Sequence, residues 1–383
     1  MMNTTTRNGL GNIVRNIVRN IGWAWLLTGA ALTACAEDEA LSGPRPPARA
    51  SAEGDAGAPV AKGAPTVGPD ASAAVTSPFM PEPEAGAPVA EASAPSVAGR
   101  FVAVGYDGRR AMSLDGRTWT GDTREGNGNV DGPELFRDVA FANGLFVAVG
   151  GGCAGGCKGR ITVTSDGLTW KDVAPAAADN WLGGVAYGNG TWVTVGGFAR
   201  VLRSVDAITW TPTDVADGSL RGMRFESGWF VAVGDGGRRR RSQDGLTWVD
   251  ATMGGGGLHS LAYGNGVWVA AGYGGRRVRS TDNGATWSND VTSDNTESVT
   301  FAEGRFLATS QGGPVLTSTD GASWTSHGGS GASGIAFGRP GGQPRYVGFA
   351  WVSTRRASDD GLAWRDAVGD DGTSAFGSVA YGP

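Results

Sequence analysis

Six ionisable side chains stand where related segments of this chain carry small residues. They are Arg137, Asp138, Arg221, Arg224, His259 and Glu297. Guanidinium groups bind carboxylates and phosphates, carboxylates accept hydrogen bonds, and an imidazole can donate or accept near neutral pH. If the fold brings them together, these groups predict a polar pocket for a charged or strongly hydrogen-bonding ligand.

These side chains are positioned by a repeat of about forty residues. Its most regular element is a Ser/Thr-x-Asp segment ending in tryptophan, which we call the Asp turn. The seven tryptophans are Trp119, Trp170, Trp210, Trp248, Trp287, Trp324 and Trp364. Two β-rich runs around Asn-Gly, as in 185–196, precede the turn and indicate a tight hairpin. A third run follows them and a fourth passes through the tryptophan, so each repeat predicts four strands.

Four-stranded repeats of this length are typical of propeller blades. We therefore predict an all-β fold, a seven-bladed β-propeller over residues 99–383. Segment 378–382 is a first strand without its partner, and 99–105 is a second strand without its first. Pairing these N- and C-terminal strands in one blade closes the ring and removes a free sheet edge.

In such a fold the first strand of each blade lines the central channel. One inward position reads Asp138, Gly184, Gly222, Ser260, Ser298, Gly334 and Ser378, and the next reads Ala140, Ala186, Arg224, Ala262, Thr300, Ala336 and Ala380. Small residues are the rule because seven strands crowd the axis. Asp138 and Arg224 break that rule, and Arg137, Arg221, His259 and Glu297 precede them at the channel mouth. The six departures predict an axial pocket.

A simpler interpretation of Asp138 and Arg224 stays open. Opposite charges that share a narrow channel can pair across it with waters and serve only the fold.

Segment 280–287, STDNGATW, meets in full the S-x-D-x-G-x-T-W pattern, so the repeat resembles Asp-box (BNR) proteins. The resemblance implies a structural turn in which Asp accepts backbone N–H bonds and the tryptophan packs between strands. It gives this role to Asp115, Asp166, Asp206, Asp244, Asp282, Asp320 and Asp360. Seven symmetric copies cannot form one active site.

Asp-box propellers include sialidases, which resemble one another in an arginine triad, a tyrosine nucleophile with its glutamate partner, an acidic residue and an F-R-I-P segment. This chain has no such segment. Tyr187, Tyr263 and Tyr381 stand where other repeats carry phenylalanine, so we expect them to be packing residues. We predict a protein that is not an enzyme, with no catalytic residue, metal or cofactor.

Arginines recur between the second and third strands, on the face that propellers commonly use for ligands. They are Arg109, Arg110, Arg160, Arg200, Arg238, Arg239, Arg240, Arg241, Arg276, Arg277, Arg355 and Arg356. A ring of arginines could hold an acidic partner, and photosystem assembly factors with seven Asp-box blades look similar in this respect. The links between blades carry Asp131, Asp250, Asp290, Asp294, Asp366 and Asp370. Mutual neutralisation in surface pairs, worth about 0–1 kcal/mol each, is the alternative.

The net charge of −5 excludes a generally basic surface of the kind that binds nucleic acid.

Arg7, Arg15 and Arg19 precede an apolar stretch, 21–32, that is too short to span a bilayer and is typical of an export signal. The stretch leads into Leu-Thr-Ala-Cys at 32–35, which resembles the bacterial lipobox. The resemblance implies a lipoprotein signal peptide over 1–34 and lipidation of Cys35. Residues 36–98 are rich in Ala, Pro, Gly, Ser and Glu, so 35–98 predicts a lipidated cysteine on a disordered tether.

The other two cysteines, Cys153 and Cys157, lie in a glycine-rich loop of the second blade. In an exported protein this spacing favours a disulfide. A zinc site would need two more ligands, and no histidine is nearby.

Together these features predict a non-enzymatic binding or assembly scaffold, lipid-anchored in the bacterial cell envelope, at the outer rather than the inner membrane. The propeller would stand in the periplasm or at the cell surface and hold an envelope protein, an acidic ligand or a glycan on one face. Two alternatives remain: a carbohydrate-binding or sialidase-like glycoside-hydrolysing propeller, and a structural envelope protein without a discrete ligand.

Overall fold

The computed structural model describes residues 99–126, 131–173, 178–213, 215, 217–251, 253–294, 296–350, 353–368 and 375–383. The predicted signal peptide, Cys35 and the tether lie outside these residues, as does Asp370. The described strands form seven four-stranded antiparallel sheets, which confirms the seven-bladed propeller.

The strands follow one another blade by blade. Blade 1 contains β1 (Arg100–Gly105), β2 (Arg110–Ser113), β3 (Thr120–Thr123) and the C-terminal β28 (Phe376–Gly382). Blade 2 contains β4 (Phe136–Ala142), β5 (Leu145–Gly152), β6 (Lys158–Thr164) and β7 (Lys171–Val173). Blade 3 contains β8 (Leu182–Gly188), β9 (Thr191–Gly196), β10 (Val201–Ser204) and β11 (Thr211–Pro212). Blade 4 contains β12 (Leu220–Glu226), β13 (Trp229–Gly234), β14 (Arg239–Ser242) and β15 (Val249–Asp250).

The remaining three blades repeat the pattern. Blade 5 contains β16 (Leu258–Gly264), β17 (Val267–Gly272), β18 (Arg276–Ser280) and β19 (Ser288–Thr292). Blade 6 contains β20 (Ser298–Ala302), β21 (Arg305–Thr309), β22 (Leu316–Ser318) and β23 (Thr325–Ser326). Blade 7 contains β24 (Ser333–Gly338), β25 (Arg345–Phe349), β26 (Arg355–Ser358) and β27 (Arg365–Val368). Short 3-10 turns lie at Tyr106–Gly108, Asp235–Gly237, Tyr273–Gly275 and Pro340–Gly342.

The ring closes as the sequence predicts. Strand β28 pairs antiparallel with β1, and Ala380 lies opposite Val102. Because β28 supplies the first strand of blade 1, the two ends of the propeller domain hold each other in register and the sheet edge is covered.

The core lies between neighbouring blades. The second strand of each blade is flanked by sheets on both sides, so β9, with the sequence TWVTVG, is buried along its whole length. Val193 and Val195 of blade 3 pack against Met223 and Phe230 of blade 4, and equivalent apolar clusters lie between the other pairs of blades. Burial of β-branched and aromatic side chains in these clusters drives the stacking.

Each Asp turn is held by its own carboxylate. Oδ1 of Asp320 accepts the N–H groups of Ala322 at 2.8 Å and Ser323 at 2.9 Å, and the hydroxyl of Ser318 at 2.9 Å. In the other six turns the Asp carboxylate likewise accepts backbone N–H and Ser or Thr hydroxyl bonds. The indole of Trp324 then packs into the cluster shared with the preceding blade.

The antiparallel meander gives the propeller two distinct faces. The upper face carries the connections between second and third strands and the links between blades. The lower face carries the hairpins between first and second strands and the Asp turns. Strand β1 begins and β28 ends at the lower face, so Gly99 and Pro383 lie there.

The predicted disulfide is confirmed: Cys153 and Cys157 are bonded within the β5–β6 connection on the upper face. The bridge closes a short glycine-rich loop and stiffens it.

The glycine of an Asp turn meets two constraints at once. Gly245 has φ +71°, and a Cβ on it would lie 2.6 Å from Cγ2 of Val193 in the preceding blade. Blade 3 has Ala207 at this position, buried and at φ 61°, so a turn of this kind can hold a methyl side chain there.

We predict that Gly245→Ala lowers the free energy of unfolding by about 2–5 kcal/mol, because a left-handed conformation costs about 1–2 kcal/mol and overpacking adds about 1–3 kcal/mol. Gly190→Ala is the matched control: its φ is +75°, and nothing lies within 4 Å of the added Cβ. Chemical denaturation of both variants separates the two costs, and equal losses would contradict the contact between blades.

Candidate functional site

Backbone crowding dominates the channel axis. A Cβ on Gly184 would lie 2.8 Å from the backbone nitrogen of Met223 in the next blade. A Cβ on Gly222 would collide with the carbonyl of His259. Neighbouring first strands therefore touch along the axis, and larger side chains fit only where they replace a backbone contact with a bond of their own.

Asp138 is such a replacement. Its carboxylate accepts the N–H of Val185 in blade 3 at 3.1 Å and the hydroxyl of Ser378 in blade 1 at 2.9 Å. Ser260 does the same for the N–H of Val299 at 3.0 Å. Burial raises the pKa of Asp138, although the charge of Arg224 and these donors act against the rise. Asp138 thus bonds three consecutive blades together.

Arg224 lies at a different level, toward the lower mouth of the channel. It is two residues further along its strand than the position equivalent to Asp138, and its Nε donates to the carbonyl of Leu261 at 2.6 Å. Within the described residues the two charges form no ion pair. Each charge instead bonds the strand of the next blade, Asp138 through the N–H of Val185 and Arg224 through the carbonyl of Leu261.

Two other predicted residues meet at the upper mouth. Arg137 donates to Asp131 at 3.1 Å and to the carbonyl of Gly151 at 3.1 Å, and its guanidinium carbon lies 4.9 Å from the ring centroid of Trp181. Arg221 forms a bidentate pair with Asp235 and lies 5.3 Å from the same ring. Trp181 is therefore contacted by two arginines, each oriented by its own aspartate.

The disulfide loop contributes to this arrangement. The carboxylate of Asp131 that bonds Arg137 also accepts the N–H of Cys153 at 3.2 Å, and its carbonyl accepts the N–H of Ala154 at 3.1 Å. The bridged loop thus positions Arg137 through Asp131.

His259 completes the mouth from blade 5. Its ring lies 4.8 Å from the ring of Tyr273, and its Nε2 is buried without a hydrogen-bond partner among the described residues. Burial, together with the charge of Arg221, lowers the pKa of His259 to about 4 despite the opposing charge of Asp235. The imidazole is therefore neutral near pH 7 and available as a hydrogen-bonding group.

Glu297, at the start of blade 6, lies beside the Tyr273–Gly275 turn of blade 5. Burial raises the pKa of its carboxyl, although the N–H of Gly274 acts against the rise. We call the group formed here the upper-mouth cluster: Arg137, Trp181, Arg221, Asp235, His259, Tyr273 and Glu297.

The structure thus brings together four of the six residues predicted from the sequence, and it adds neighbours that the sequence analysis missed. The four are Arg137, Arg221, His259 and Glu297. Trp181, Asp235 and Tyr273 belong to blade links and turns, whose irregular alignment hid them. Glu226, beside Arg224, was also missed. It stands where the other first strands read Gly382, Ala142, Gly188, Gly264, Ala302 and Gly338, so comparing one more inward position would have found it.

Most arginines of the upper face form ion pairs with carboxylates. Buried Arg240 bonds Asp217 at 2.9 Å and also Asp250, and buried Arg276 bonds Asp290 at 2.6 Å. Arg109, Arg110, Arg160, Arg200, Arg238, Arg277, Arg355 and Arg356 pair likewise with carboxylates of this face. Of the two interpretations of the ring, mutual neutralisation is the one the geometry favours.

Within the part of the chain that the structure describes, no three His, Cys, Asp or Glu side chains group to hold a metal ion. The same residues contain no helix with the length and apolar character needed to cross a membrane.

No family model and no curated protein matches this chain. Among solved structures it is similar to "YCF48 bound to D1 peptide", at 18% identity over 62% of this chain and 81% of that one, with a TM-score of 0.47. It is also similar to YCF48 from Cyanidioschyzon merolae, at 18% identity over 62% and 86%, with a TM-score of 0.46. The computationally designed Ika8 protein gives 12% identity over 72% and 86%, with a TM-score of 0.48.

We predict opposite pH dependences for Asp138 and the Asp turns. Because the pKa of folded Asp138 lies above the unfolded value of about 3.9, its ionisation costs stability as the pH rises through these values. Asp138→Asn keeps an oxygen for the N–H of Val185 and removes the charge. In urea unfolding, the free energy of unfolding of the variant relative to that of wild type should be higher at about pH 7 than at about pH 4.

Asp320→Asn is the control of opposite sign. The N–H groups of Ser323 and Ala322 and the hydroxyl of Ser318 lower the pKa of Asp320 to about 2. Its stabilising contribution is therefore complete above the unfolded value of about 3.9 and is lost as the pH falls toward about 2. A common pH trend for the two variants would contradict these assignments.

Proposed function

We propose that this chain is a non-enzymatic, envelope-anchored scaffold that holds a protein partner on the upper face of its propeller. The observation that carries the proposal is the convergence of the upper-mouth cluster, where departures from the repeat in blades 2, 4, 5 and 6 meet. Repeated residues maintain the fold in every blade, whereas a group of different residues at one mouth has no such repeated role.

The residue types at this mouth suit a protein interface. Tyrosine and arginine are prominent among the residues that dominate binding energy at such interfaces. Trp181 is buried and packs against the two arginines. Among the described residues, the upper face exposes three aromatic rings: Tyr106 at 39%, Phe198 at 53% and Tyr273 at 52%. Exposed rings near rigidly held arginines provide apolar anchors with polar neighbours.

The position of the N-terminal strand supports this orientation. Because β1 begins at the lower face, a tether leading from Cys35 to Gly99 would join the propeller there. The upper mouth lies on the face opposite Gly99.

The charges of the mouth argue against glycoside hydrolysis by the canonical pair of carboxyl groups. Canonical retaining and inverting glycosidases place two carboxyl groups across the scissile bond. In the upper-mouth cluster Asp235 is bound by Arg221, which leaves Glu297 as the remaining carboxyl of that cluster. A glycan partner that is bound but not cleaved is the second candidate, since the exposed ring of Tyr273 offers a surface on which a sugar can stack.

The test is affinity capture of the mature protein from its own envelope, followed by mass spectrometry, with a glycan array in parallel. The site variant combines Arg221→Gly and His259→Ser, the residues that Gly183 and Ser333 provide in blades 3 and 7. The control is Leu246→Ala, at an exposed tip of an Asp turn on the lower face. All three proteins are first compared by thermal unfolding.

We expect a protein partner that wild type and Leu246→Ala retain and the site variant loses by about tenfold or more. Equal capture by all three proteins would place recognition elsewhere. Binding only on the array would favour the glycan, and no binding in either assay would leave a purely structural role.

A further inference from the structure

The lower mouth of the channel contains a second departure from the repeat. Arg224 and Glu226 alternate along β12, so both face the channel, and both are exposed. Five of the other six blades carry alanine where Arg224 stands, and all six carry glycine or alanine where Glu226 stands. The two charges are therefore additions that the fold does not require.

The two charges do not neutralise each other. Nε of Arg224 donates to the carbonyl of Leu261 at 2.6 Å, which fixes the direction of the guanidinium group. No ion pair joins Arg224 or Glu226 to any described residue, in contrast to the arginines of the upper face. Although both side chains reach solvent, partial desolvation within the channel raises the pKa of Glu226, and the charge of Arg224 acts against that rise. The guanidinium group of Arg224 and the carboxyl group of Glu226 thus lie side by side, and both can form further hydrogen bonds.

The neighbouring blades form an open cleft beside this pair. Ala262 and Tyr263 of blade 5 and Thr300 and Phe301 of blade 6 line it with Arg224 and Glu226, and the space it offers is about 80 Å³. Because sites that enclose a whole drug-sized ligand measure about 300–1,000 Å³, this cleft suits a small ligand held by its charged groups.

The walls are formed before any ligand arrives. The ring of Tyr263 packs 5.0 Å from that of Trp268, and the ring of Phe301 packs 4.8 Å from that of Phe306. Both partner rings are fully buried, so the cleft does not depend on mobile side chains.

We propose that the lower mouth binds a small carboxylic acid that carries an amino or hydroxyl group on its α-carbon. The carboxylate would accept hydrogen bonds from the terminal nitrogens of Arg224, which a guanidinium fork matches well. The α-ammonium or α-hydroxyl group would donate to Glu226. An apolar substituent would lie against Tyr263 and Phe301. This site is separate from the upper-mouth cluster and does not rest on the proposed function.

The experiment is isothermal titration calorimetry of the whole mature protein with four related probes. L-Phenylalanine and L-phenyllactate contain both groups, 3-phenylpropionate lacks the α-donor, and phenylalanine methyl ester lacks the carboxylate. We expect the first two to bind, 3-phenylpropionate to bind more weakly and the ester not to bind. The ratio of the first two affinities tells whether the natural ligand is an amino acid or a hydroxy acid.

Two variants install residues that other blades already carry, so folding should be preserved. Arg224→Ala should lower the affinity for L-phenylalanine and for L-phenyllactate by about tenfold or more, because a charged hydrogen-bonding partner is lost. Glu226→Gly should abolish the preference for L-phenylalanine over 3-phenylpropionate while retaining the carboxylate requirement. The upper-mouth variant Arg221→Gly/His259→Ser should bind all probes as wild type does, which separates this site from the proposed partner site.

Two results would overturn the proposal. One is the absence of saturable binding of any carboxylate up to about 10 mM, a concentration that detects even very weak complexes. The other is unchanged affinity in Arg224→Ala, with an unchanged melting temperature. Either would reduce Arg224 to a hydrogen-bond donor for Leu261.

Discussion

The constraint on which this structure depends is the contact between neighbouring first strands at the axis. At Gly184 and Gly222 the backbones of adjacent blades approach too closely for a side chain. The hydrophobic clusters between blades pull the sheets together, and the axis sets the limit of that approach. A polar group inside the channel must therefore bond to the next blade, as Asp138 does. The middle of the channel serves cohesion, and the binding that we propose takes place at its two mouths.

Charged residues also divide into those that stabilise the fold and those at the candidate sites. Arginine is abundant on the upper face, yet pairs such as Arg276 with Asp290 use it to join loops within the face. Desolvated guanidinium groups need such partners, so a basic sequence pattern does not become a basic surface. What distinguishes the upper mouth is the combination of two oriented arginines, an indole and a neutral imidazole. The lower mouth differs, because there Arg224 and Glu226 stay unpaired with each other.

Much of the fold could be predicted from the sequence, because the same pattern of strands and turns occurs in seven repeats. The spacing of the Asp-turn tryptophans gave the blades, the unpaired terminal segments gave the closure, and Cys153 and Cys157 gave the disulfide. The site was harder, because alternation shows which residues face the channel but not how far they reach. Successive residues rise about 3.3 Å along a strand, which separates Arg137 from the level of Arg224 by about 10 Å. Trp181 lies in a link, where no periodicity points to it.

We propose that repeated residues form the scaffold and that a partner binds the departures from the repeat at the upper mouth. Hydrogen–deuterium exchange of the mature protein, alone and with a partner captured from its envelope, tests this most directly. We expect new protection at 181–184, 219–222, 257–260 and 273–275, with the Asp turns unchanged. Protection confined to the Asp turns and the hairpins of the lower face would contradict it.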